Sequence, residues 1–460
     1  MKVNEAWLSG YTGNGIVIAV VDDGLETDHP DIAANIDTLN DIDIYSNDDD
    51  PYPPSGSSHG TEVSGLIAAV KDNNICTVGV AFKSKIIGVR ILGNAAILDS
   101  EEAQALIHKI NYVDIYSNSW GPADGSDFSQ PGPLTKKAIK EGVTNGRKGK
   151  GAIYLWASGN GGVEDNCNAD AYASSIYTIA ITAVEIGQNA WYAEVCACAM
   201  AATYGGSSMD RFITTTTTSF SCISDGIEGT SYATPIASGI VALCLEANPN
   251  LTWRDIQHLI VLTSSRNGLS DTYLDWAING AYKECNQVMG FGLMNAETMV
   301  NQSLTWITVP LQQNCTSSTS TPYISSTGIT NGINVITIAR NECQVVFLEH
   351  VTTNITFSYS AYRGASMLYL VSPKGTRSHL LHHRVADGNH NTAGSLTWTF
   401  MSVHFWRESP VGNWTLEFGS HTGISIVTLQ SWSLTFYGTS TDPLSREYVF
   451  NISCSMYIKK

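Results

Sequence analysis

Three short motifs carry side chains that could perform acyl transfer together. They are VVDDG around Asp22, HGT at His59 and GTSYATP around Ser231. A serine hydroxyl needs a base before it can attack a carbonyl. A histidine near its ordinary pKa of about 6.5 can take that proton and return it to a leaving amine. A carboxylate beside the imidazole holds its tautomer and stabilises the imidazolium. A fourth piece, SGNGG (158–162), offers the Asn160 side-chain amide to a developing oxyanion. Each motif alone has a bland reading. An Asp at a strand end is often structural, and a Ser opening a helix is often only a cap. The signal is their conjunction on one chain.

The elements that must position these residues can be read from apolar patterning. GIVIAVVD (15–22) is a continuous apolar run ending in acid, the pattern of a buried parallel strand with Asp22 at its carboxyl end. HGTEVSGLIAAVK (59–71) has helical spacing, and SKIIGVRIL (84–92) reads as a strand. SEEAQALIHKI (100–110) reads as a helix with Ser100 as N-cap. VDIYSNSW (113–120), GAIYLWASGN (151–160) and SIYTIAITAV (175–184) read as strands, and 133–143 and 230–248 as helices. Strands alternating with helices predict a parallel α/β architecture, with functional groups at the carboxyl ends of the strands. TTTTTS (214–219) reads as an exposed strand or loop. Beyond about residue 305 the pattern becomes short β-rich runs separated by turn residues, which predicts an all-β sandwich or jelly roll. The expected domains are 1–303 (catalytic), 304–440 (β-sandwich) and a tail at 441–460.

The net charge of −17 argues against a nucleic-acid surface and favours basic partners or bound cations. No apolar run is long enough to span a membrane. Ten cysteines and six Asn-x-Ser/Thr acceptors, at Asn250, Asn301, Asn314, Asn354, Asn413 and Asn451, point to an oxidising compartment. The expected location is the secretory pathway (Golgi) or outside the cell. The first residues lack the apolar core of a signal peptide, so a processed form, fragment or truncated gene model is expected. His382, His383 and His390 are read as part of a loop, with no metal role.

The triad order Asp, His, Ser is that of subtilisin-type enzymes. Over nearly its whole length the chain resembles the kexin and furin proprotein convertases, a branch of the subtilisin-like serine proteases. The resemblance is carried by GYTGNGIVIAVVDDGLETDHPDI, HGTEVSGLIAAVKDNNICTVGVAF, SNSWGPADG, WASGNGG, SIYTIAI, WYAEVC and LTWRDIQHLIV. In the β-rich part it is carried by SPKGTRSHLL, PVGNWTLEF and SWSLTFYGTS, which resemble the family's P domain.

That resemblance implies a subtilisin-like parallel-sheet catalytic domain, a P domain and cleavage of protein or peptide substrates at basic sites. It also implies dependence on the family's own propeptide. Asp124 and Asp170 are expected at the primary pocket, with Trp120 and Gly121 on its wall. Asp23 should face the preceding basic residue, and Glu102 with Tyr172 should line the pocket for the fourth residue upstream. Calcium is implied at three places. The first is Asp31 and Asn73 with the carbonyls of Val70, Ile75 and Thr77; the second is Asp124, Asp165 and Glu194; the third is Asp43, Asp48 and Asp50. The resemblance also implies the disulfides Cys76–Cys222, Cys167–Cys196 and Cys315–Cys343, leaving Cys198, Cys244, Cys285 and Cys454 without named partners.

The chain departs from the furin pattern at Gly56, Ala96, Ala123 and Pro131, where acids are expected. Asp127 is the residue that could compensate. Selection upstream of the final basic residue is therefore expected to be weaker than in furin. Two other classes stay open on sequence: an inactive binding protein on the same fold, and a binding protein built around the β domain.

Overall fold

The computed structural model describes residues 1–207, 213–266, 268–270, 276–388, 391–421, 423 and 425–445. His390, Asn451, Cys454, Lys459, Lys460 and most of the expected tail lie outside the described residues.

The first part is an α/β sheet. Its strands are β1 (Val17–Asp22), β2 (Lys85–Arg90), β3 (Ile115–Asn118), β4 (Ile153–Ala157), β5 (Thr178–Glu185) and β6 (Ala199–Tyr204). The spatial order runs β2-β1-β3-β4-β5, with β6 also paired to β5, and these pairings are all parallel. β1 is buried along its whole length, as its unbroken apolar run requires. Helix α1 (His59–Ala68) starts at His59, and helix α4 (Thr230–Ala247) starts one residue before Ser231. Between β2 and β4 lie α2 (Asp99–Leu106) and α3 (Pro133–Gly149), whose helical backbone breaks at Gly146. Further helices are α5 (Trp253–Thr263) and α6 (Ala296–Ser303), with a short one at Val3–Leu8.

Two local readings change. Ser100 lies inside α2 and does not cap it. Leu98 holds the cap position, and its amide donates to the Glu101 carboxylate at 2.8 Å. Asp99 caps the next helix instead, accepting from the amides of Leu134 (3.0 Å) and Thr135 (2.9 Å). The threonine run is not an exposed segment. Thr215–Thr217 forms β7, paired antiparallel with β8 (Ser221–Ile223), and Thr215 and Thr216 are fully buried. Their hydroxyls donate to the carbonyls of Glu62 (2.6 Å) and Thr61 (2.7 Å) in α1. Gly65 permits this approach, because a Cβ there would sit 2.3 Å from the Thr216 hydroxyl.

The second part is a sandwich of two antiparallel sheets. One holds β9 (Gln313–Thr316), β10 (Ile324–Ser326), β12 (Phe347–Tyr359), β15 (Gly394–Ser402) and β17 (Val427–Thr439). The other holds β11 (Gly332–Ile338), β13 (Ser366–Val371), β14 (Arg377–Leu381) and β16 (Gly412–Ser420). QVVFLEHV (344–351) and ITFSYSAY (355–362) each read as a short strand from their sequence. They join as β12, because exposed Asn354 pairs across to Thr399 and interrupts nothing. Both sheets supply one core, with Trp414, Phe418, Phe357, Phe400 and Trp432 inside.

The two parts are joined by buried polar contacts. Arg254 of α5 makes a two-pronged ion pair with Glu349 of β12, and His258 approaches the same carboxylate at 2.9 Å. Asn168 bonds the carbonyls of Leu380 (3.0 Å) and Met401 (3.1 Å), and Trp398 donates to the Asn168 carbonyl at 2.7 Å. The disulfides Cys76–Cys222, Cys167–Cys196 and Cys315–Cys343 are formed. Cys198, Cys244 and Cys285 are buried thiols, and the Cys198 sulfur lies 2.9 Å from that of Cys167. No described helix is long and apolar enough to cross a membrane.

Candidate active site

Asp22 ends β1 and His59 opens α1, so the strand edge delivers the carboxylate to the imidazole. His59 Nδ1 donates to Asp22 Oδ1 at 2.8 Å. Burial disfavours charge on His59, yet the carboxylates of Asp22, Asp23 and Glu62 outweigh it and raise its pKa to about 9. The neighbouring Asp23 binds the same helix, its two oxygens accepting from the amides of His59 (3.3 Å) and Gly60 (2.7 Å). Burial and the charge of Asp22 push Asp23 above the usual carboxylate range.

Ser231 sits in the first turn of α4, where the helix dipole favours negative charge. Its hydroxyl donates to the Ser119 carbonyl at 3.0 Å in this conformation. Asn160 follows β4, and its Oδ1 accepts from the Thr230 amide (2.7 Å) and hydroxyl (3.0 Å). Those bonds fix which end of the side chain is left to donate, the NH₂.

Beside Ser231 opens a cavity of about 210 Å³, lined among others by Trp120, Gly121, Asp124, Asp170 and Glu194. The Asp170 carboxylate comes within 3.1 Å of where a Cβ on Gly121 would stand, so a glycine keeps the acid open to the cavity. Burial, with the charges of Asp124 and Asp165, raises Asp170 to about 7 despite bonds from the amides of Tyr172 and Ala173.

Behind this cavity Asp124, Asp165 and Glu194 bring carboxylate oxygens within 4.8 Å of one another. Asp165 and Glu194 are buried. Arg384, from the turn after β14, binds Asp165 at 2.6 Å. One guanidinium does not balance three carboxylates, and burial followed by mutual repulsion pushes Glu194 and Asp124 upward. A hard divalent cation suits this oxygen set. At the first expected calcium position, Asp31 accepts from Asn73 Nδ2 (2.6 Å) and the Thr77 amide (3.1 Å), and the Val70 amide donates to the Asp31 carbonyl (2.7 Å). The loop also closes through the Ile75 amide to Asn73 Oδ1 (3.0 Å). These residues gather round one buried carboxylate, with no cationic side chain paired to it among the described residues.

The third expected calcium position is an acid-rich turn. Asp43 is paired with the buried Arg90 guanidinium through one oxygen, and its other oxygen accepts from the Ser46 amide at 2.7 Å. Asp48 and Asp50 are exposed, and cap their own turn by accepting from the amides of Asp50 (3.0 Å) and Tyr52 (3.2 Å). Glu102 and Tyr172 do meet, the Tyr172 hydroxyl donating to Glu102 at 2.7 Å, but both are buried and Thr135 takes the same carboxylate. Asp127 is bound by Arg363 at 2.8 Å, so it does not stand free to replace a lost acid.

Three participants are absent from the sequence reading. Arg384 approaches from the other domain and leaves no local signal. Glu62 lies one turn after His59 within HGTEV, and Tyr232 follows Ser231 directly, so both stood inside motifs already singled out.

Residues 13–292 match the subtilase family model. The chain belongs to that family. Residues 348–436 match the proprotein convertase P-domain. The chain is 42% identical to rat proprotein convertase subtilisin/kexin type 5 over 97% of its own length and 25% of the relative's. It is 42% identical to Drosophila melanogaster furin-like protease 1 over 97% of this chain and 36% of that one. With Xenopus laevis furin-1 the figures are 41%, 97% and 58%. The chain thus spans between a quarter and just over half the length of these relatives. Among solved structures, the serine protease of Aeromonas sobria superposes with a TM-score of 0.82 over 93% of this chain and 89% of that one at 23% identity, a likeness of fold.

Proposed function

We propose that this chain is a calcium-dependent serine endopeptidase that cuts secretory precursor proteins after basic residues, using Asp22, His59 and Ser231. The carrying observation is the juxtaposition of a bonded Asp22–His59 pair, with Ser231 at the mouth of a cavity that reaches Asp170. A basic side chain entering that cavity meets Asp170 and Asp124, and a buried guanidinium or ammonium needs such partners. The Ser231 hydroxyl leaves the Ser119 carbonyl and gives its proton to His59 as it attacks the substrate carbonyl. Asp22 holds the Nδ1 proton and stabilises the imidazolium. The Asn160 NH₂ and the start of α4 receive the oxyanion. His59 then protonates the leaving amine, and water releases the acyl group from Ser231 by the same route.

Asp124, Asp165 and Glu194 would hold one calcium ion, and Asp31, Asn73 and Thr77 another. The ion supplies the positive charge that keeps the buried acids ionised. Asp23 serves the preceding basic residue while anchoring α1. With Gly56, Ala96, Ala123 and Pro131 in place of acids, selection further upstream is weaker than in furin-like relatives. Five sequons, at Asn250, Asn301, Asn314, Asn354 and Asn413, are exposed, which suits passage through the secretory pathway. Peptides varied at the four residues before the cut test this reading. Cleavage after Arg or Lys that requires calcium and Ser231 supports it, and cleavage after neutral residues contradicts it.

A further inference from the structure

Glu62 is a buried carboxylate that the reaction above does not use. It sits on α1, three residues after His59, and is 5% exposed. Among the described residues it has no Lys, Arg or His ion-pair partner. Three hydroxyls satisfy it: Ser58 at 2.7 Å and Thr217 at 2.9 Å on Oε1, and Tyr232 at 2.7 Å on Oε2. Each donor comes from a different element. Ser58 precedes α1, Thr217 ends β7, and Tyr232 follows the nucleophile on α4. The Tyr232 ring stands edge-on to the His59 imidazole with centroids 5.8 Å apart.

We propose that Glu62 and Tyr232 are a positioning pair. The Tyr232–Glu62 bond locks the helix bearing His59 to the helix bearing Ser231, and the Glu62 charge favours the imidazolium that forms when Ser231 is deprotonated. This inference rests on the protease reading for its kinetic consequences but not for the charge effect.

A carboxylate bound only by neutral donors keeps its full charge, whereas an ion-paired one is neutralised locally. The charged groups facing His59 are Asp22 from β1, Asp23 from the β1 end, and Glu62 from its own helix, all of one sign. Tyr232 faces it from α4, with its hydroxyl pushed upward by burial and by Glu62, so it remains a donor. Glu62 thus adds to His59 basicity, and its bond to Tyr232 ties α1 to α4 beside the two reacting residues. Misplacement of a reacting pair by a fraction of an ångström costs rate and not binding.

The test uses Glu62→Gln and Tyr232→Phe in the full chain, with two readouts. The first is the pH profile of kcat and KM on an arginyl peptide. The second is the NMR titration of the His59 imidazole in a Ser231→Ala background, which needs no activity. Glu62→Gln is expected to lower the His59 midpoint by about 0.5 unit or more and to move the acid limb of kcat with it. Tyr232→Phe is expected to lower kcat about 10-fold with KM within about twofold, the midpoint staying within about 0.3 unit. Wild-type kcat in Tyr232→Phe, or an unmoved His59 midpoint in Glu62→Gln, would overturn the proposal. A wild-type chain that cleaves no basic peptide overturns the protease reading instead, and the titration still decides the charge effect.

Discussion

Two clusters of carboxylates flank the cleft, and they handle charge in opposite ways. Around His59, Asp22, Asp23 and Glu62 are held by the imidazole, two backbone amides and three hydroxyls. Across the cavity, Asp124, Asp165 and Glu194 face one another with a single guanidinium among them. The first cluster surrounds one histidine and sets its basicity. The second carries more negative charge than its donors can balance, so it calls for a cation. The difference lies in the donors each cluster is given.

The largest expected effect breaks the first cluster. Asp22→Asn leaves the shape but loses the tautomer, and kcat should fall on the order of 10⁴-fold with little change in KM. Steady-state kinetics on an arginyl peptide measures it. Next is the link that seats the β domain behind the second cluster. Glu349→Ala strands Arg254 and His258 without their buried carboxylate, and should cost about 3–5 kcal/mol, read by thermal or denaturant unfolding.

The third prediction sharpens the contrast through pH. Without calcium, Asp170 is raised to about 7, with Glu194 and Asp124 raised as well. The native state then holds more protons than the unfolded chain between about pH 4 and 7, so stability falls as pH rises through that window. Calcium should remove this slope, because the ion takes the place of the protons. Unfolding curves with calcium and with EDTA across that window measure it, and coincident curves would show that the second cluster needs no ion. The smallest effect is on specificity. Asp23→Asn should weaken preference for a basic residue at the second position by about 1–3 kcal/mol and leave the first position unchanged.

Much of this was legible in the residues. The unbroken apolar run before Asp22 placed that acid at a strand end, and the small-residue helix after Ser231 formed as read. What was missed has physical causes. AMAATY is a buried strand of mostly small residues, a composition with weak β preference. The helix at Trp253–Thr263 did carry a signal, the Thr252–Asp255 capping box. The threonine run looked like a polar surface because its hydroxyls are satisfied only by α1, a partner some 150 residues earlier. Arg384 is of the same kind: an arginine in a turn of a β domain gives no sign that it ends against Asp165. The pairing of Arg90 with Asp43 in the third acid-rich loop is likewise visible only in the fold.

The most direct test of the account is cleavage of paired peptides differing only in the residue before the cut, arginine against norleucine, with calcium present and Ser231→Ala as control. The account predicts hydrolysis of the arginyl peptide alone, lost in the control and lost on chelation. Equal hydrolysis of both peptides, or hydrolysis that survives Ser231→Ala, would contradict it.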